Sequence, residues 1–342
     1  MVDPLVSVLI PTFNRSHYLA DAIGSALSQT LADIEVVVVD DGSTDRTIDL
    51  LRSFTDPRLR VIRHDHNRGI PAARNTALSA ARGRYIAWLD SDDRARPTRL
   101  AEQVAFLEGH PAVAMVGSCA GKLRADGRRK SGVRVPPLTP SMIQAWLLFR
   151  SAFQQSSIMG RANILSRYGY DAAYPCCEDV DMFLRLQRDH RLANLPQILV
   201  DRRVHPDQCV RLRRQEIEER RMALAGPMLA QLGIDPSGDD LERHVMLGRA
   251  SLAGTGVDAD YLDWARGWLE RLRDANCRQR VFDTESLALA SDYFWLLACR
   301  AVGAQSGKPS VFRAMLRRPP SGLWTSEARD WIRAALPIYL RS

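Results

Sequence analysis

Three carboxylates fall within four residues, at Asp90, Asp92 and Asp93, directly after the apolar run Tyr85-Ile86-Ala87-Trp88-Leu89. That run has the length and aromatic content of a buried strand. Three such charges at a strand end repel one another unless a cation or hydrogen-bond donors neutralise them. Oxygen ligands at alternate positions suit Mg²⁺ or Mn²⁺, and Mg²⁺ sites combine one or two carboxylates with substrate phosphates. A purely local use competes: Asp92 or Asp93 could cap a helix announced by Pro97. One Asp would meet that need, and three after a buried strand favour the metal. A second acidic group, Glu178-Asp179 with Asp181, precedes the periodic apolar residues Met182, Phe183, Leu184 and Leu186. Acids at a helix start are favoured by its dipole, which accounts for one or two of them. The spacing alone leaves general-base chemistry and capping both open.

These groups need elements to hold them, and residues 5–120 repeat a strand-then-helix rhythm. Apolar runs at 5–10, 34–39, 59–62, 85–89 and 113–116 read as strands; the second is almost purely Val, as in a strand buried on both faces. Helical spacing covers 18–27, 70–81 and 97–107, and Ser43 or Thr44 can cap a helix running through Leu51. The alternation argues for an α/β fold with an open, mostly parallel, doubly wound sheet. Its first, second and fourth strands end in Thr12 and Asn14, in Asp40 and Asp41, and in Asp90 and Asp92. Ligands of such sheets bind at the carboxyl ends of strands.

Beyond residue 120 the patterns predict a basic hairpin or loop at 121–137 and a helix at 140–149. A strand at 156–159, a short helix at 162–168 and a last strand at 198–200 follow. From residue 208 no strand pattern remains, while helical faces recur at 241–252, 261–272 and 287–302. We therefore divide the chain into a catalytic domain, 1–207, and an all-helical extension, 208–342.

Bulk properties exclude little but bound the class. The 342 residues are 46% hydrophobic and 25% charged, with a net charge of +7, as in an ordinary globular protein. All but three of the 47 basic residues are Arg, the better bidentate phosphate ligand. Total charge does not choose among nucleic acid, anionic membrane and phosphorylated substrates. Six cysteines show no CxxC spacing and read as reduced thiols of a cytosolic protein. The start of the chain lacks a basic n-region, and no run reaches the length of a membrane span. The expected location is cytoplasmic.

No GxGxxG follows the first strand, which counts against a dinucleotide-binding dehydrogenase. Taken in order, the motifs resemble the inverting glycosyltransferases of family 2, with their nucleotide-diphosphosugar transferase (GT-A type) fold. The matching pieces are Val6 to Arg15, Val39 to Asp45, Asn67-Arg68-Gly69, Ala73-Arg74-Asn75, Leu89 to Asp93, Glu178-Asp179 with Leu184-Arg185, and Val204-His205-Pro206. They span about residues 5 to 207. The segment from His205 through Gln208 is also similar to bacterial enzymes that extend lipooligosaccharide outer cores.

The resemblance implies roles residue by residue. Pro11, Thr12, Asn14, Asp41, Arg74, Asp90 and Ser91 would line the nucleotide, with Asp41 accepting from the imide N–H of the base. Arg74 would lie near the phosphates or base, and Asp90 near the ribose or the metal shell. Asp92 would ligate Mn²⁺ or Mg²⁺ on the diphosphate, with His205 as a further metal or diphosphate contact. Asp179 would be the general base, with Glu178 or Asp181 orienting or capping. The partners implied are a nucleotide-diphosphate sugar, most simply a UDP-sugar, and a glycan or lipid-linked glycan acceptor. Cys176-Cys177 departs from the pattern, since relatives more often carry Gly or a small residue there; a buried apolar filler is expected. Read without the resemblance, Asn14, Asp40, Asp45 and Asn75 are turn and cap residues, and Trp264, Trp268 and Trp295 are core. A nucleotidyltransferase would need a Gly-rich, Lys-bearing loop after the first strand, and residues 11–15 offer none. A nucleic-acid-binding module would interleave aromatics with Arg, and no such motif occurs, so no nucleic-acid partner is expected. Lys308, Arg313, Arg317 and Arg318 beside Val311, Phe312, Met315 and Leu316 fit a basic amphipathic helix, either core-capping or lying on the inner membrane.

Overall fold

The computed structural model describes residues 3–206, 208, 213–249, 252, 257–306 and 329. They fall into two compact units, one built from the chain up to residue 138 together with 153–213, the other from 139–152 together with the chain from 214.

The first unit is organised on four parallel strands, β1 (Val6–Thr12), β2 (Ile34–Asp40), β3 (Leu59–Arg63) and β4 (Tyr85–Trp88), in the order β3-β2-β1-β4. Every residue of β2 and β4 is buried, so these strands read as apolar runs rather than alternating ones; the exceptions in β2 are its last residue, Asp40, and Glu35, which is paired with Ser7 and Arg60. Helices α1 (Leu19–Leu27), α2 (Thr47–Arg52) and α3 (Ile70–Ala80) connect them. In α1, Leu19, Ala22, Ile23 and Ala26 are buried, the one-sided stripe its spacing predicts. Thr12 pairs with Asp40 and Leu9 with Trp88. That register brings the polar residues after β1, β2 and β4 to the same edge of the sheet.

The second half of the sheet is mixed. It adds β5 (Arg94–Ala95), β6 (Val113–Arg124), β7 (Arg129–Arg134), β8 (Met159–Arg161) and β9 (Arg191–Val204) in the order β4-β8-β6-β9-β5, with β7 on β6. β8 runs antiparallel to β4 and β6, and β9 parallel to β6. Helix α4 (Arg99–Gly109) follows β5. β6 and β9 are far longer than the expected strands at 113–116 and 198–200. Their distal halves alternate, with Leu123, Asp201 and Arg203 buried between more exposed Lys122, Arg124 and Arg202, so an apolar-run reading stops short. Residues 121–137 form the β6–β7 hairpin, turning at Gly127 with φ +81°. The strand expected at 156–159 is instead a 3₁₀ turn, Gln155–Ser157, followed by β8. Both the N–H and the hydroxyl of Ser157 donate to the carbonyl of Gln154, a local bond that displaces the ladder.

The second unit contains α5 (Pro140–Leu147). Helices α6 (Ala162–Tyr168) and α7 (Glu178–Asp189) belong to the first unit. The second unit continues with α8 (Arg214–Gln231), α9 (Gly238–Leu247), α10 (Ala259–Gln279) and α11 (Thr284–Ser306). None of its described residues forms a strand. Helix α9 begins earlier than the expected 241–252 because the Ser237 hydroxyl accepts the Asp240 N–H. Trp146 packs on Tyr293 and Phe294, and Phe149 stacks on Phe294. Trp268 donates to Nδ1 of His244, whose Nε2 donates to the Leu148 carbonyl. Burial pushes the His244 pKa down to about 4, so the ring is neutral and structural. Trp268 and Trp295 are buried core residues. The basic stretch around Lys308 to Arg318 lies outside the described residues. Among the described residues no helix is long and apolar enough to cross a membrane.

Candidate active site

The loop after β2 is fixed from below. Asp41 follows the strand and its N–H donates to the Thr12 carbonyl. Its carboxylate is buried and accepts the N–H groups of Arg68 and Gly69 at 2.9 Å each, with His64 Nδ1 at 2.7 Å. Asp41 thereby clamps the 64–69 loop at the start of α3. Gly42, at φ +73°, must be Gly: a Cβ there would stand 2.5 Å from the His66 carbonyl carbon. Asn14 takes a left-handed conformation, φ 51°, and its Oδ1 accepts the N–H groups of Thr44 and Asp45 while its own N–H donates to Ser43. In this structure Asn14 works as a turn residue, and Ser43 turns back to it instead of capping α2. Thr12 Oγ1 is buried without a partner, a polar atom held at the carboxyl end of β1. Pro11 is partly buried beside it, and Ser91 is buried.

Arg74, on α3, joins two acidic segments that the sequence keeps apart. Its guanidinium donates to Asp90 Oδ1 and to Glu178 Oε1, each at 3.1 Å. It lies over the rings of Trp88, at 5.1 Å, and Tyr170, at 5.5 Å, a placement that adds cation–π attraction. Burial works against its charge, yet Asp90 and Glu178 hold its pKa above the ordinary value. Its Nη1 is buried without a partner. Tyr170 is itself fixed by Asn75, whose side-chain amide exchanges two 2.8 Å hydrogen bonds with the Tyr170 backbone.

Asp179 sits in the first turn of α7 beside Glu178. Its carboxylate accepts the Val180 N–H. Burial raises the Asp179 pKa, with Arg74 opposing. Burial also pushes Glu178 up to about 7, with Arg74 opposing and Asp179 and Asp90 adding to the rise. Asp181 turns away and pairs with Arg185, whose guanidinium donates to the carbonyls of Tyr168 and Gly169. Cys177, the N-cap of α7, adopts φ 64°, a region L-residues enter at a cost. Cys176 is buried, as expected of a small apolar filler.

The three carboxylates after β4 have three different settings. Asp90 meets Arg74 and accepts from the Ser156 hydroxyl at 2.9 Å. Asp92 is paired with His205 Nε2 at 2.8 Å; the imidazole is buried against the Tyr18 ring, 4.7 Å between centroids. Asp93 is buried, accepts the Arg203 N–H at 2.8 Å and contacts the Ser156 hydroxyl. Burial and the charges of Asp92 and Asp90 push its pKa well above the carboxylate range. Neither Asp92 nor Asp93 caps α4, whose N-cap is Thr98. Arg203 locks the corner by donating to the Asp92 carbonyl and to Asp21 while lying over Tyr18.

The edge of one sheet thus collects Thr12, Asp41, Asp90 and Asp92, with His205 bonded to Asp92 and Glu178–Asp179 linked through Arg74. As cation ligands, Asp92 and His205 offer one carboxylate and one imidazole that already converge. Among the described residues no group of three or more His, Cys, Asp and Glu gathers as a metal cage. The donor set fits an ion that takes its remaining ligands from phosphate oxygens and water. Sequence reasoning places Ser156 and Tyr170 only within loops, 154–159 and 170–177, expected to set sugar choice, and gives no individual role to either or to Arg203. Their partners lie 15 to 182 residues away.

The family model described as Glycosyl transferase family 2 matches residues 7–169. A glycosyltransferase of Haemophilus influenzae is 30% identical over 217 residues, 60% of this chain and 67% of that protein. The succinoglycan biosynthesis protein ExoO of Rhizobium meliloti is 41% identical over 43% of this chain and 44% of its own length. The UDP-Glc:α-D-GlcNAc-diphosphoundecaprenol β-1,3-glucosyltransferase WfaP of Escherichia coli is 42% identical over 30% and 41%. The chain therefore spans two thirds of the first relative and under half of the other two. Among solved structures, S. aureus TarS 1-349 in complex with UDP is similar at TM-score 0.55 and 18% identity, covering 89% of this chain and 92% of that one. The mannosyltransferase PcManGT of Pyrobaculum calidifontis, in complex with GDP-Man and Mn²⁺, gives TM-score 0.52 at 18% identity, covering 99% and 88%. At these identities the structural likeness concerns the fold.

Proposed function

The chain belongs to glycosyl transferase family 2, and from that membership we propose an inverting, divalent-metal-dependent transfer of a sugar from a nucleotide-diphosphate donor. The donor is a UDP-sugar, and the acceptor a hydroxyl of a glycan or lipid-linked glycan in cell-surface polysaccharide assembly. Two relatives support that pairing, one named for succinoglycan biosynthesis and one for a diphosphoundecaprenol-linked acceptor. The observation that carries the reading is the Asp90–Arg74–Glu178 bridge. It ties the carboxylates after β4 to the helix start that presents Asp179.

In this reading residues 1–207 carry catalysis and residues 208–342 are a helical extension. Pro11, Thr12, Asp41 and Ser91 receive the nucleoside at the strand ends, where Thr12 Oγ1 is buried without a partner, and Asn14 shapes the turn beside them. Arg74 holds Asp90 and Glu178 and keeps one N–H for a donor oxygen. Asp92 and His205 would hold the ion, Mn²⁺ or Mg²⁺, which would take its remaining ligands from phosphate oxygens and water. When bound, the ion acts as a Lewis acid toward the departing diphosphate. Asp179, its proton affinity raised by burial, takes the proton of the acceptor hydroxyl. A single displacement from the opposite face inverts the anomeric centre and needs no protein nucleophile. The enzyme acts in the cytoplasm, with peripheral contact to the inner membrane where lipid-linked acceptors lie.

The test is a screen of UDP-, GDP- and dTDP-sugars for Mn²⁺-dependent hydrolysis and transfer. Asp92→Asn is expected to weaken nucleotide binding only when Mn²⁺ is present. Asp179→Asn is expected to retain binding while transfer falls by roughly 10²- to 10⁴-fold. Full transfer by Asp179→Asn would remove the base assignment.

A further inference from the structure

The β6–β7 hairpin carries a charge arrangement that the site does not use. Lys122 of β6 pairs directly with Lys130 of β7 on one side and with Arg202 of β9 on the other. Laterally paired residues project from the same face of a sheet, so three cations form one row across three strands. Two residues along β6 on that face stands Arg124, whose N–H donates to the Arg128 carbonyl across the turn. Lys122, Arg124, Arg128 and Lys130 are exposed, and Arg202 is partly so. Strands lie roughly 5 Å apart and same-face neighbours roughly 7 Å, so five cations share a patch of only a few strand widths.

Like charges placed directly opposite one another destabilise a sheet. Among the described residues Asp126, at the hairpin turn, is the acid that offsets them, and it faces Arg128 with Arg124 nearby. Among the described residues no carboxylate lies within ion-pair distance of Lys122, Arg124, Lys130 or Arg202. On the opposite face of the same hairpin the pattern is ordinary, with Arg129 reaching the buried Asp201. The cationic face is also tied to the candidate active site. Arg203, next to Arg202, donates to the carbonyls of Arg124 and Ala125 at the hairpin turn and to that of Asp92.

We propose that this face docks the enzyme on an anionic phospholipid surface. The complement of a lateral row of long, exposed cations is a laterally continuous anion. A single bound phosphate would call for converging donors instead. No aromatic side chain punctuates the face, as a single-stranded nucleic-acid platform would require. The purpose, presenting the active site to a lipid-linked acceptor, rests on the function proposed above; the binding itself does not.

The experiment is co-sedimentation of the full chain with vesicles of phosphatidylcholine alone or with 30% phosphatidylglycerol, without donor sugar or metal. Binding is expected only to the anionic vesicles and to fall steeply as salt rises from about 0.05 to 0.5 M. Each cation near such a surface contributes roughly fivefold, so K122Q/R124Q/K130Q is expected to lower partitioning about a hundredfold. R52Q/R84Q/R167Q removes the same charge from exposed positions elsewhere and is expected to change it less than tenfold. Absence of binding to anionic vesicles, unaltered binding by the hairpin variant, or an equal loss in both variants would each overturn the proposal. So would a hairpin variant that loses oligonucleotide binding while keeping vesicle binding. Donor hydrolysis, measured separately, reports on the transferase reading, so the two can fail independently.

Discussion

Replacing Arg74 by Gln removes the cation shared by Asp90 and Glu178. Each ion pair, with charges roughly 4 Å apart at an effective dielectric of about 20, is worth roughly 4 kcal/mol before desolvation is subtracted. The two halves differ in exposure: the Asp90 side chain is 29% exposed and that of Glu178 7%. Solvent can relieve Asp90, so its share of the loss is about 1 kcal/mol. Glu178 has no such relief and will keep its proton instead. In the wild type its pKa stands near 7 because burial raises it while Arg74 opposes; without Arg74 it rises further. Below pH 7 Glu178 is therefore protonated in both proteins, and only the Asp90 share separates them. Above pH 7 the wild type ionises beside Arg74 while the folded variant retains a proton that its unfolded chain releases. The variant then loses about 1.4 kcal/mol per pH unit relative to the wild type. Urea unfolding should show a deficit of about 1 kcal/mol at pH 5.5 and about 3 kcal/mol at pH 8.5, the latter in the range for breaking a buried pair. An equal deficit at both pH values, or none, would refute the reasoning.

Glu178→Gln tests the same group from the other side. The wild-type contribution is complete below pH 4.5 and disappears as pH rises through about 7, a decline of roughly 3 kcal/mol; the variant's melting temperature should lack that component between pH 4.5 and 7.5. Cys177→Gly relieves the left-handed N-cap of α7 and should raise stability by about 0.5–1 kcal/mol in urea; a loss would show that the Cys177 side chain outweighs the strain. Asp41→Ala strands the N–H of Arg68 and leaves that of Gly69 only Asn67 Oδ1, and should cost about 1–3 kcal/mol. If hydrogen exchange at those two amides is unchanged in Asp41→Ala, the clamp is not formed.

The legible part of this fold was the part set by local patterns. The Val-rich β2 and the aromatic β4 announced themselves because burial on both faces leaves mostly apolar residues, Glu35 being the exception inside β2, and polar side chains could then be placed at their ends. β6 and β9 were truncated in the reading because one face of each meets solvent and carries Lys and Arg. The carboxylate clusters were visible as spacings, but their division of labour was not. Asp93 proved a buried structural acid, Asp92 the partner of His205, and Asp90 the partner of an Arg sixteen residues earlier. Those differences come from Ser156, Arg203 and Glu178, which approach from remote segments. Periodicity carries no information about such approaches. Cys177 was noticed as a departure from the family pattern, although its backbone conformation could not be inferred from composition.

Helix α5 has a practical consequence for anyone dissecting the molecule. Its residues Met142, Ile143, Trp146 and Leu147 are buried with the second unit, Trp146 against Tyr293 and Phe294, although the chain returns to the sheet directly afterwards. A stop codon placed after residue 207 would therefore not liberate a clean minimal enzyme. It would leave an orphaned greasy helix spliced into the middle of the remaining protein. Excision of 139–152, replaced by a short hydrophilic bridge, would have to accompany the truncation before the first unit could be handled alone.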